Sequence, residues 1–363
     1  MRTPRLTLAL ALAGALMTTA ACSAPDDAAP SDGATGGGQE AEPVDSGTAE
    51  RVNIACSQQE DFCQQITAAF EEQTGIDATY VRLGSGEVLA RLETTPGEFD
   101  VWSGGQAENH IIADDRGFVE RYVSPNAAAL DPEYNDVDGI WSGFYTDSVG
   151  FCSNSTELER IGVDIPTSWD DLLAPELQGN VSMPHPATAG VGYMAMFTIN
   201  TLRDGDVDAT IEYFSALDAN VLQYARSAAT GTEQAGRGEV AVAIALDSDC
   251  VKAREAGFAD LVVSYPEEGT GYEVGAVSVL AGARNLEAAK IYMDWILTTD
   301  AQDLYADVPS FAAPTLADAV LGEKVPPQDT VNKVDWDLRR AADSRGEIIE
   351  RFEAEVAGQA DAV

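Results

Sequence analysis

The stretch RVNIACSQQEDFCQQITAAFEEQTGIDATYVRL (residues 51–83) decides the fold, because the spacing of its apolar residues changes twice. RVNIAC is a short apolar run that is typical of a buried strand. The next segment places Phe62, Ile66 and Phe70 on one helical face and ends at Gly75. IDATYVRL then alternates like a second strand. The stretch therefore predicts a β-α-β unit with parallel strands.

The same pattern continues up to residue 117. SGEVLARLETT is predicted to be a helix with Ser85 near its N-cap, and FDVWSGG is predicted to be a strand. Residues 106–116 are helical again and end at Gly117. This series predicts a parallel sheet with helices on its faces.

A second series of strands and helices occupies residues 151–270. GEVAVAIAL has the composition of a buried strand, SDCVKAREAG that of a helix and ADLVVSYP that of another strand. We also expect a short capped helix in SWDDLLAPELQG (168–179), helices over 189–204 and 206–217, one long helix over 285–305 and a charged C-terminal helix. Strand-like segments near 140–153 and 272–282 are placed to run between the two series. The chain is thus predicted to form two α/β lobes joined by two crossings, with ligands near the carboxyl ends of the strands.

The N-terminus has the features of an export signal. Arg2 and Arg5 precede the apolar run LTLALALAGAL, and TAAC then ends at Cys22. This end resembles a bacterial lipobox, although Thr19 stands where that motif usually has Leu; an ordinary secretory cleavage site is the alternative. Residues 22–50 are rich in Ala, Pro, Gly, Ser and acid, which predicts a disordered tether. The interpretation is a signal peptide over 1–21 and a protein anchored by lipid on the outer face of the cell membrane.

The charge balance limits the partners. The chain has 21 basic and 61 acidic residues, a formal net charge of -40, which argues against nucleic acid as a partner. Two interpretations of the acidity stay open, namely steering of cationic ligands and a solvated acidic surface such as a salt-adapted organism would have.

The cysteines fit an exported protein. Four of them follow Cys22, which predicts two disulfides, and three pairings are possible. We prefer Cys56–Cys63, which links a strand end to the next helix, together with Cys152–Cys250. Buried free thiols are the alternative. A zinc site is disfavoured because there is no CxxC pair and the only histidines are His110 and His185.

Small and hydroxylated residues recur where predicted strands pass into helices, in CSQQ, LGSGE, WSGGQ and PATAGVG. Small residues expose backbone N–H groups, Ser and Thr add hydroxyl donors, and together with the helix dipole these groups favour an anion at such junctions. In this interpretation Thr188, Ala189 and Gly190 are small because a ligand oxyanion is expected against the N-terminus of the helix that follows. The candidates are Ser57, Gly84, Ser85, Gly104, Gly105, Thr188, Ala189 and Gly190. The sequence has no Walker loop, no GxSxG elbow and no HExxH motif, so we expect no catalysis and no cofactor.

Residues 51–310 resemble the substrate-binding proteins of ABC importers, in the cluster that includes ferric-ion, hexose-phosphate and phosphonate binders. The resemblance is carried by FEEQTGIDATYVRLGSGEVLARLE, FDVWSGGQAE, GIWSGFYTDSVGFCSN, PTSWDDLLAPELQGNVSMPHPATAGVGY, GRGEVAVAIA and YPEEGTGYEVGAVSVLAGARNLEAAKIYMDWIL. It implies the two-lobed type II fold of periplasmic binding proteins, with a two-strand hinge and a ligand cleft. It also implies a monomer that passes a small solute to a membrane permease. The expected division is 51–150 with about 275–335 in the first lobe, 151–274 in the second lobe, and 336–363 as the C-terminal helix.

The departures from this cluster bear on the solute. Ferric binders carry adjacent tyrosines where this chain reads LDSDC, with Ser248 and Asp249. Sugar-phosphate binders are more similar there, with acids at Asp249 and Glu273, although Ser248 replaces their usual His. An amine-bearing phosphonate would also suit these acids. In QYARSAAT, Arg226 and Ser227 are further candidates for anion contacts, although Arg226 also fits a surface position.

Two aromatic residues and three rival functions complete the interpretation. Tyr145 and Trp141 could wall the cleft, although Trp141 suits a core equally well. We expect a small, anionic solute that is phosphorylated or a phosphonate. The first rival is ferric iron or another metal ion held by carboxylates such as Asp249 and Glu273. An envelope enzyme and an adhesion or scaffold lipoprotein are the others, and the predicted cleft disfavours the last.

Overall fold

The structure is a computed structural model, and it describes residues 50–307 and 310–357. The predicted signal peptide, the predicted tether and Cys22 lie outside the described residues. The described part has an α/β architecture of two lobes that share a continuous ten-stranded sheet. In the described part, no helix combines the length and apolarity needed to cross a membrane.

The first lobe begins as the sequence predicts. Its elements are β1 Arg51–Cys56, α1 Glu60–Thr74, β2 Asp77–Arg82, α2 Ser85–Thr94, β3 Val101–Gln106 and α3 Ala107–Asp115. Strand β1 pairs in parallel with β2 and with β3. Helix α1 buries Phe62, Ile66 and Phe70 against the sheet, and Gly75 ends it with a φ of 72°. Glycine suits this position because it adopts the left-handed conformation without a steric penalty.

The second lobe follows with more strands and helices. Its elements are β4 Ser142–Asn154, α4 Ser155–Ile161, β5 Val181–Pro184, α5 Gly190–Leu202, α6 Val207–Asp218, β6 Val221–Ala225, α7 Ala228–Gly236, β7 Val242–Leu246, α8 Asp247–Glu255 and β8 Leu261–Ser264. Strand β5 lies between β6 and β7 and is parallel to both.

The chain then returns to the first lobe and ends in a long helix. The remaining elements are β9 Tyr272–Val279, α9 Leu286–Ile296, α10 Thr299–Gln302, α11 Leu304–Asp307, β10 Ala313–Pro314 and α12 Leu338–Glu355. In α12, Ile348 and Phe352 join the core of the second lobe, while Ala342 packs with Ile111 of α3. The C-terminal helix thus contacts both lobes, and the lobe boundaries given above stay a prediction.

Strands β4 and β9 are the two crossings. The first part of β4 pairs with β9, with Asp147 opposite Glu273, and the second part pairs with β7 and β8. Every residue of β4 is buried. The strand order is β2-β1-β3-β9-β4-β7-β5-β6, with β8 and β10 also on β4, so the crossings lie in the middle of the sheet.

Both preferred disulfides are confirmed in the structure, as Cys56–Cys63 and Cys152–Cys250. The first joins the end of β1 to α1, and the second joins β4 to α8. Each bridge therefore ties the beginning of a helix to a strand of its own lobe.

Two of the predicted helices are wrong in detail. The helix expected over 168–179 is instead two short 3-10 turns, Asp170–Leu173 and Pro175–Leu177, because Pro175 cannot continue a helix at that point. The long helix expected over 285–305 is divided into α9, α10 and α11, since the Thr298 hydroxyl accepts a hydrogen bond from the Ala301 N–H and starts a new helix.

Four elements were missed, namely α4, β6, α7 and the short strand β10. Strand β6 and helix α7 have no clear pattern in the sequence, because α7 contains two glycines and two threonines, which form helices poorly. Ser85 lies near the N-cap of α2, as predicted, since the N-cap is Gly84 and Ser85 is the first helical residue.

Candidate functional site

A pocket lies in the cleft between the two lobes. It encloses about 830 Å³ of space, part of which is open to solvent. Eleven of the predicted candidates line it, namely Ser57, Gly84, Ser85, Tyr145, Thr188, Ala189, Gly190, Arg226, Ser227, Asp249 and Glu273. We call this space the cleft pocket.

Helix N-termini surround the cleft pocket. The first residues of α2, α5, α7 and α8, and the segment before α1, all contribute to its lining. Each of these helices follows a strand of the sheet. Strands β1 and β2 of the first lobe run antiparallel to β5, β6 and β7 of the second lobe, so the helix N-termini of the two lobes face each other across the pocket. The first N–H groups of a helix have no intrahelical acceptor and carry a partial positive charge.

Helices α5 and α7 have the most open N-termini. Neither has an acidic residue in its first turn, and neither is capped by the side chain of its N-cap residue. Arg226 stands directly before the N-cap of α7, and its exposed side chain forms no ion pair among the described residues. This part of the pocket can accept an anion from backbone donors and a guanidinium together.

The Thr188 hydroxyl already has acceptors within the protein. It lies 3.2 Å from the carbonyl oxygen of Arg226 and 3.4 Å from that of His185. Its single hydrogen is therefore directed to the backbone and ties the turn before α5 to the loop before α7. This differs from the donor role toward a solute that the sequence favoured.

The N-terminus of α2 is partly occupied by its own side chains. Glu87 accepts a hydrogen bond from the Gly84 N–H at 2.9 Å, and the Ser85 hydroxyl donates to Oε1 of Gln106 at 3.2 Å. Arg82 stands just before this helix and donates from Nε to the carbonyl oxygen of Gln58, again without an ion pair in the described part. The guanidinium of Arg82 is thus available to an anion from this lobe, and Arg82 lines the pocket.

Buried carboxyl groups form the floor of the pocket. Asp147 and Glu273 lie opposite each other on the crossing strands β4 and β9, and Asp249 belongs to the first turn of α8. Tyr145 donates its hydroxyl to Oε1 of Glu273, and Gln106 donates from Nε2 to Oε2 at 3.1 Å. We call Asp147, Asp249 and Glu273 the acidic floor.

The other two carboxyl groups of the acidic floor are also hydrogen-bonded. Asp147 accepts a hydrogen bond from the Ser248 hydroxyl, and Asp249 accepts one from Nε2 of Gln59 at 2.5 Å. The floor therefore has fixed orientations, and its remaining lone pairs can accept hydrogen bonds from hydroxyl or ammonium groups.

Burial changes the ionisation of the acidic floor. Desolvation raises the pKa of Asp249 to about 6 and that of Glu273 to about 7. Desolvation, together with the nearby Asp247 carboxyl, raises the pKa of Asp147 well above its ordinary value. The floor consequently carries less negative charge near neutral pH than its composition implies.

Several predicted glycines serve protein packing. A Cβ on Gly190 would lie 2.1 Å from Oε1 of Gln106, which comes from the other lobe. Gly104 and Gly105 are buried beneath the pocket without lining it, and their φ angles of 89° and 81° favour glycine. The structure therefore explains these glycines by close approach of neighbouring protein atoms.

Other pocket residues were missed from the sequence. They are Gln58, Gln59, Arg82, Glu87, Gln106, Asp147, Val191, Ala228, Ala229, Leu246, Ser310 and Ala312, and Ser248, noted only for replacing a histidine, also lines the pocket. Asp147 could have been found, because it lies in a segment predicted as a crossing. The contribution of Ala228 and Ala229 in α7 could not have been found from the sequence, because the helix itself was not recognised.

Trp141 and His110, which were both discussed from the sequence, lie outside the pocket. Trp141 is part of the core, where it packs with Ala342 and Ile111. His110 is buried, stacks on Trp102 and has a pKa lowered to about 3 by desolvation. Neither contributes to the lining.

The donor set does not resemble a metal site. Among the residues that the structure describes, no group of three or more His, Cys, Asp and Glu side chains is arranged to hold a metal ion. Tyr145 is the tyrosine of the pocket lining, and its hydroxyl is committed to Glu273.

Comparison with known proteins identifies relatives of the same architecture. Residues 111–341 match the profile described as bacterial extracellular solute-binding protein. The periplasmic binding protein AfuA from Actinobacillus pleuropneumoniae, solved with exogenous fructose-6-phosphate bound, is similar with a TM-score of 0.81 and 31% identity, over 85% of this chain and 99% of that chain.

Two further relatives extend the comparison. An uncharacterized protein of Haemophilus influenzae is 33% identical over 261 residues, which is 70% of this chain and 75% of the relative. The ferric binding protein from Campylobacter jejuni has a TM-score of 0.72 at 18% identity, over 84% of this chain and 98% of that chain, and shares the fold.

Proposed function

The chain belongs to the bacterial extracellular solute-binding proteins, which serve ABC importers, and we propose that its solute is small, anionic and either phosphorylated or a phosphonate. In this proposal the protein captures the solute in the cleft pocket, closes around it and delivers it to the permease without breaking a bond. Closure follows because the solute has more contacts in the closed form than in the open form.

The observation that carries the proposal is that the pocket lining combines two kinds of group. The first is the open N-termini of α5 and α7 together with Arg226, which forms no ion pair among the described residues. The second is the acidic floor of Asp147, Asp249 and Glu273. A phosphoryl group suits the first kind, and hydroxyl or ammonium groups suit the second.

The relative that is solved with fructose-6-phosphate supports this class of solute, since it is 31% identical and covers most of the chain. A phosphorylated sugar has both required parts, an anionic head and several hydroxyl donors. An amine-bearing phosphonate has them as well, with an ammonium group in place of the hydroxyls. The two are distinguished by titration.

The test is calorimetric titration of the protein with fructose 6-phosphate, fructose, inorganic phosphate and 2-aminoethylphosphonate. We expect a phosphorylated or phosphonate compound to bind at least tenfold more tightly than fructose. Arg226→Gln should weaken that binding about tenfold to hundredfold, because a hydrogen bond to a charged group contributes about 1.5–3 kcal/mol.

The matched control is Arg203→Gln. Arg203 is in the same lobe and 3.8 Å from Asp170, and it does not line the pocket. Its variant should bind like the wild type. Equal affinity for fructose and its phosphate, or tight binding of ferric citrate with none of the phosphorylated compounds, would refute the proposal.

We further propose that the protein acts as a lipid-anchored monomer on the outer face of the cell membrane, with Cys22 as the acylated residue. The support is the export signal and the lipobox-like TAAC in the sequence. Cys22→Ala should move the protein from the membrane fraction to the medium, while the melting temperature of its folded part stays unchanged. Retention of the variant in the membrane fraction would contradict the anchor.

A further inference from the structure

Two contacts cross the mouth of the cleft between the same pair of helices. Nζ of Lys252 in α8 lies 2.7 Å from both carboxylate oxygens of Asp61 in α1. Next to this ion pair, Nε2 of Gln59 donates to Asp249 at 2.5 Å. Helix α1 packs into the first lobe and α8 into the second, so both contacts join the two lobes.

Asp61 and Lys252 are each well placed on their own helix. Asp61 is in the first turn of α1, where the helix dipole favours a negative charge. Lys252 is in the last turn of α8, where a positive charge is favoured. Both charges are therefore in favourable positions before the lobes meet, and their pairing adds an attraction between the lobes.

The disulfides hold both halves of this contact. Cys63 follows Asp61 by two residues and is bonded to Cys56 at the end of β1. Cys250 lies between Asp249 and Lys252 and is bonded to Cys152 of β4. Each charged side chain thus extends from a helix that is covalently tied to its own sheet, which reduces the conformational entropy lost on pairing.

We propose that the Asp61–Lys252 ion pair is a clasp that stabilises the closed form of the protein and keeps it populated before a solute binds. Neither residue lines the cleft pocket, whereas the neighbouring Gln59 and Asp249 do. The clasp therefore changes the balance between open and closed forms through a contact that does not touch the solute. The proposal does not depend on which solute the protein carries.

The side chains of the pair are partly exposed, at 28% for Lys252 and 42% for Asp61. Ion pairs of this kind are weak and are screened by salt. We expect removal of the pair to lower the ratio of closed to open protein about two- to fivefold. A raised salt concentration should have the same effect on the wild type.

The variants have controls on the same helix turns. Asp61→Asn is matched by Glu60→Gln, which removes a charge from the same first turn but has its contact with Tyr80 of its own lobe. Lys252→Gln is matched by Arg254→Gln, whose partner is Glu255 of the same helix. These controls separate the clasp from general effects of charge and helix dipole.

The experiment measures the distance between the lobes in the mature protein without any solute. Spin labels on non-natural amino acids at Glu72 of α1 and Glu212 of α6, both exposed, report the open and closed populations by electron double resonance. We expect Asp61→Asn, Lys252→Gln and the double variant to lower the ratio of closed to open protein by the same factor of about two to five. The variant with exchanged charges, Asp61→Lys with Lys252→Asp, should recover most of the wild-type ratio.

Three results would overturn the clasp. The first is a wild type with no closed population in the absence of solute. The second is a closed fraction that is the same in Asp61→Asn, Lys252→Gln and the wild type. The third is an equal loss in the Glu60→Gln and Arg254→Gln controls, which would assign the effect to net charge alone.

Discussion

Gly190 offers a direct test of how the cleft closes. It is the first residue of α5, and a Cβ there would lie 2.1 Å from Oε1, 2.2 Å from Nε2 and 2.3 Å from Cδ of Gln106. Gln106 ends β3 of the first lobe, whereas α5 belongs to the second lobe. Gly190→Ala should therefore be tolerated within its own lobe and should obstruct the closed form.

The size of the effect follows from the contacts of Gln106. To avoid the new methyl group, its amide has to move by about 1 Å, since carbon contacts need roughly 3.5 Å. The amide is held by Ser85, Asn109 and Glu273 at 3.0–3.2 Å, and such a shift breaks at least one of these buried hydrogen bonds. The cost is about 1–3 kcal/mol, which lowers solute affinity about five- to hundredfold.

The assay combines urea unfolding without solute with titration of fructose 6-phosphate, and the inter-lobe distance measurement serves as a readout that needs no solute. Gly192→Ala is the control, because a Cβ there would lie 2.2 Å from the carbonyl oxygen of Pro184 in the same lobe. We expect Gly190→Ala to keep its unfolding free energy and lose affinity and closed population, and Gly192→Ala to lose unfolding free energy. A Gly190→Ala variant that is destabilised while closing and binding normally would refute this explanation.

Two further predictions concern stability. Replacing both Cys152 and Cys250 with Ser should lower the unfolding free energy by about 4–5 kcal/mol, whereas the same change at Cys56 and Cys63 should lower it by about 2–3 kcal/mol. The reason is that the two bridges close loops of very different length, with sequence separations of 98 and 7 residues. Equal losses in urea unfolding would contradict this prediction. Burial raises the pKa of Asp249 to about 6. The contribution of this carboxyl to the unfolding free energy is therefore fully present below about pH 4 and is lost as the pH rises through about 6. The unfolding free energy of the wild type relative to Asp249→Asn should fall by about 2 kcal/mol between about pH 4.5 and 7.5, and a rise would contradict the prediction.

The order of the secondary structure could be predicted where each element has a strong apolar pattern. Strand β1 and helix α1 are examples, since Phe62, Ile66 and Phe70 recur at helical spacing and Gly75 marks the end. The crossings were also recognisable, because residues 142–154 form a buried strand with no helical spacing. These features depend on neighbours within the same segment of sequence.

Helix α7 shows where such reasoning fails. Its sequence AATGTEQAG has few apolar residues and two glycines, so its helical state depends on packing against β7 and α8. Its N-terminus nevertheless lines the cleft pocket beside Arg226. A part of the site was therefore hidden because its helix is stabilised by tertiary contacts.

The small residues before α5 show a second limit, because their position in the pocket could be predicted from the sequence but the reason for their small size could not. The sequence placed Thr188, Ala189 and Gly190 at the site, and all three line the cleft pocket. It attributed their small size to a solute, but Gly190 faces Gln106, and the Thr188 hydroxyl is directed to backbone carbonyl oxygens. Gln106 is remote in the sequence and meets Gly190 only across the cleft. A glycine in a cleft can thus be required by the opposite lobe, and a solute then benefits from it indirectly, because the lobes can close.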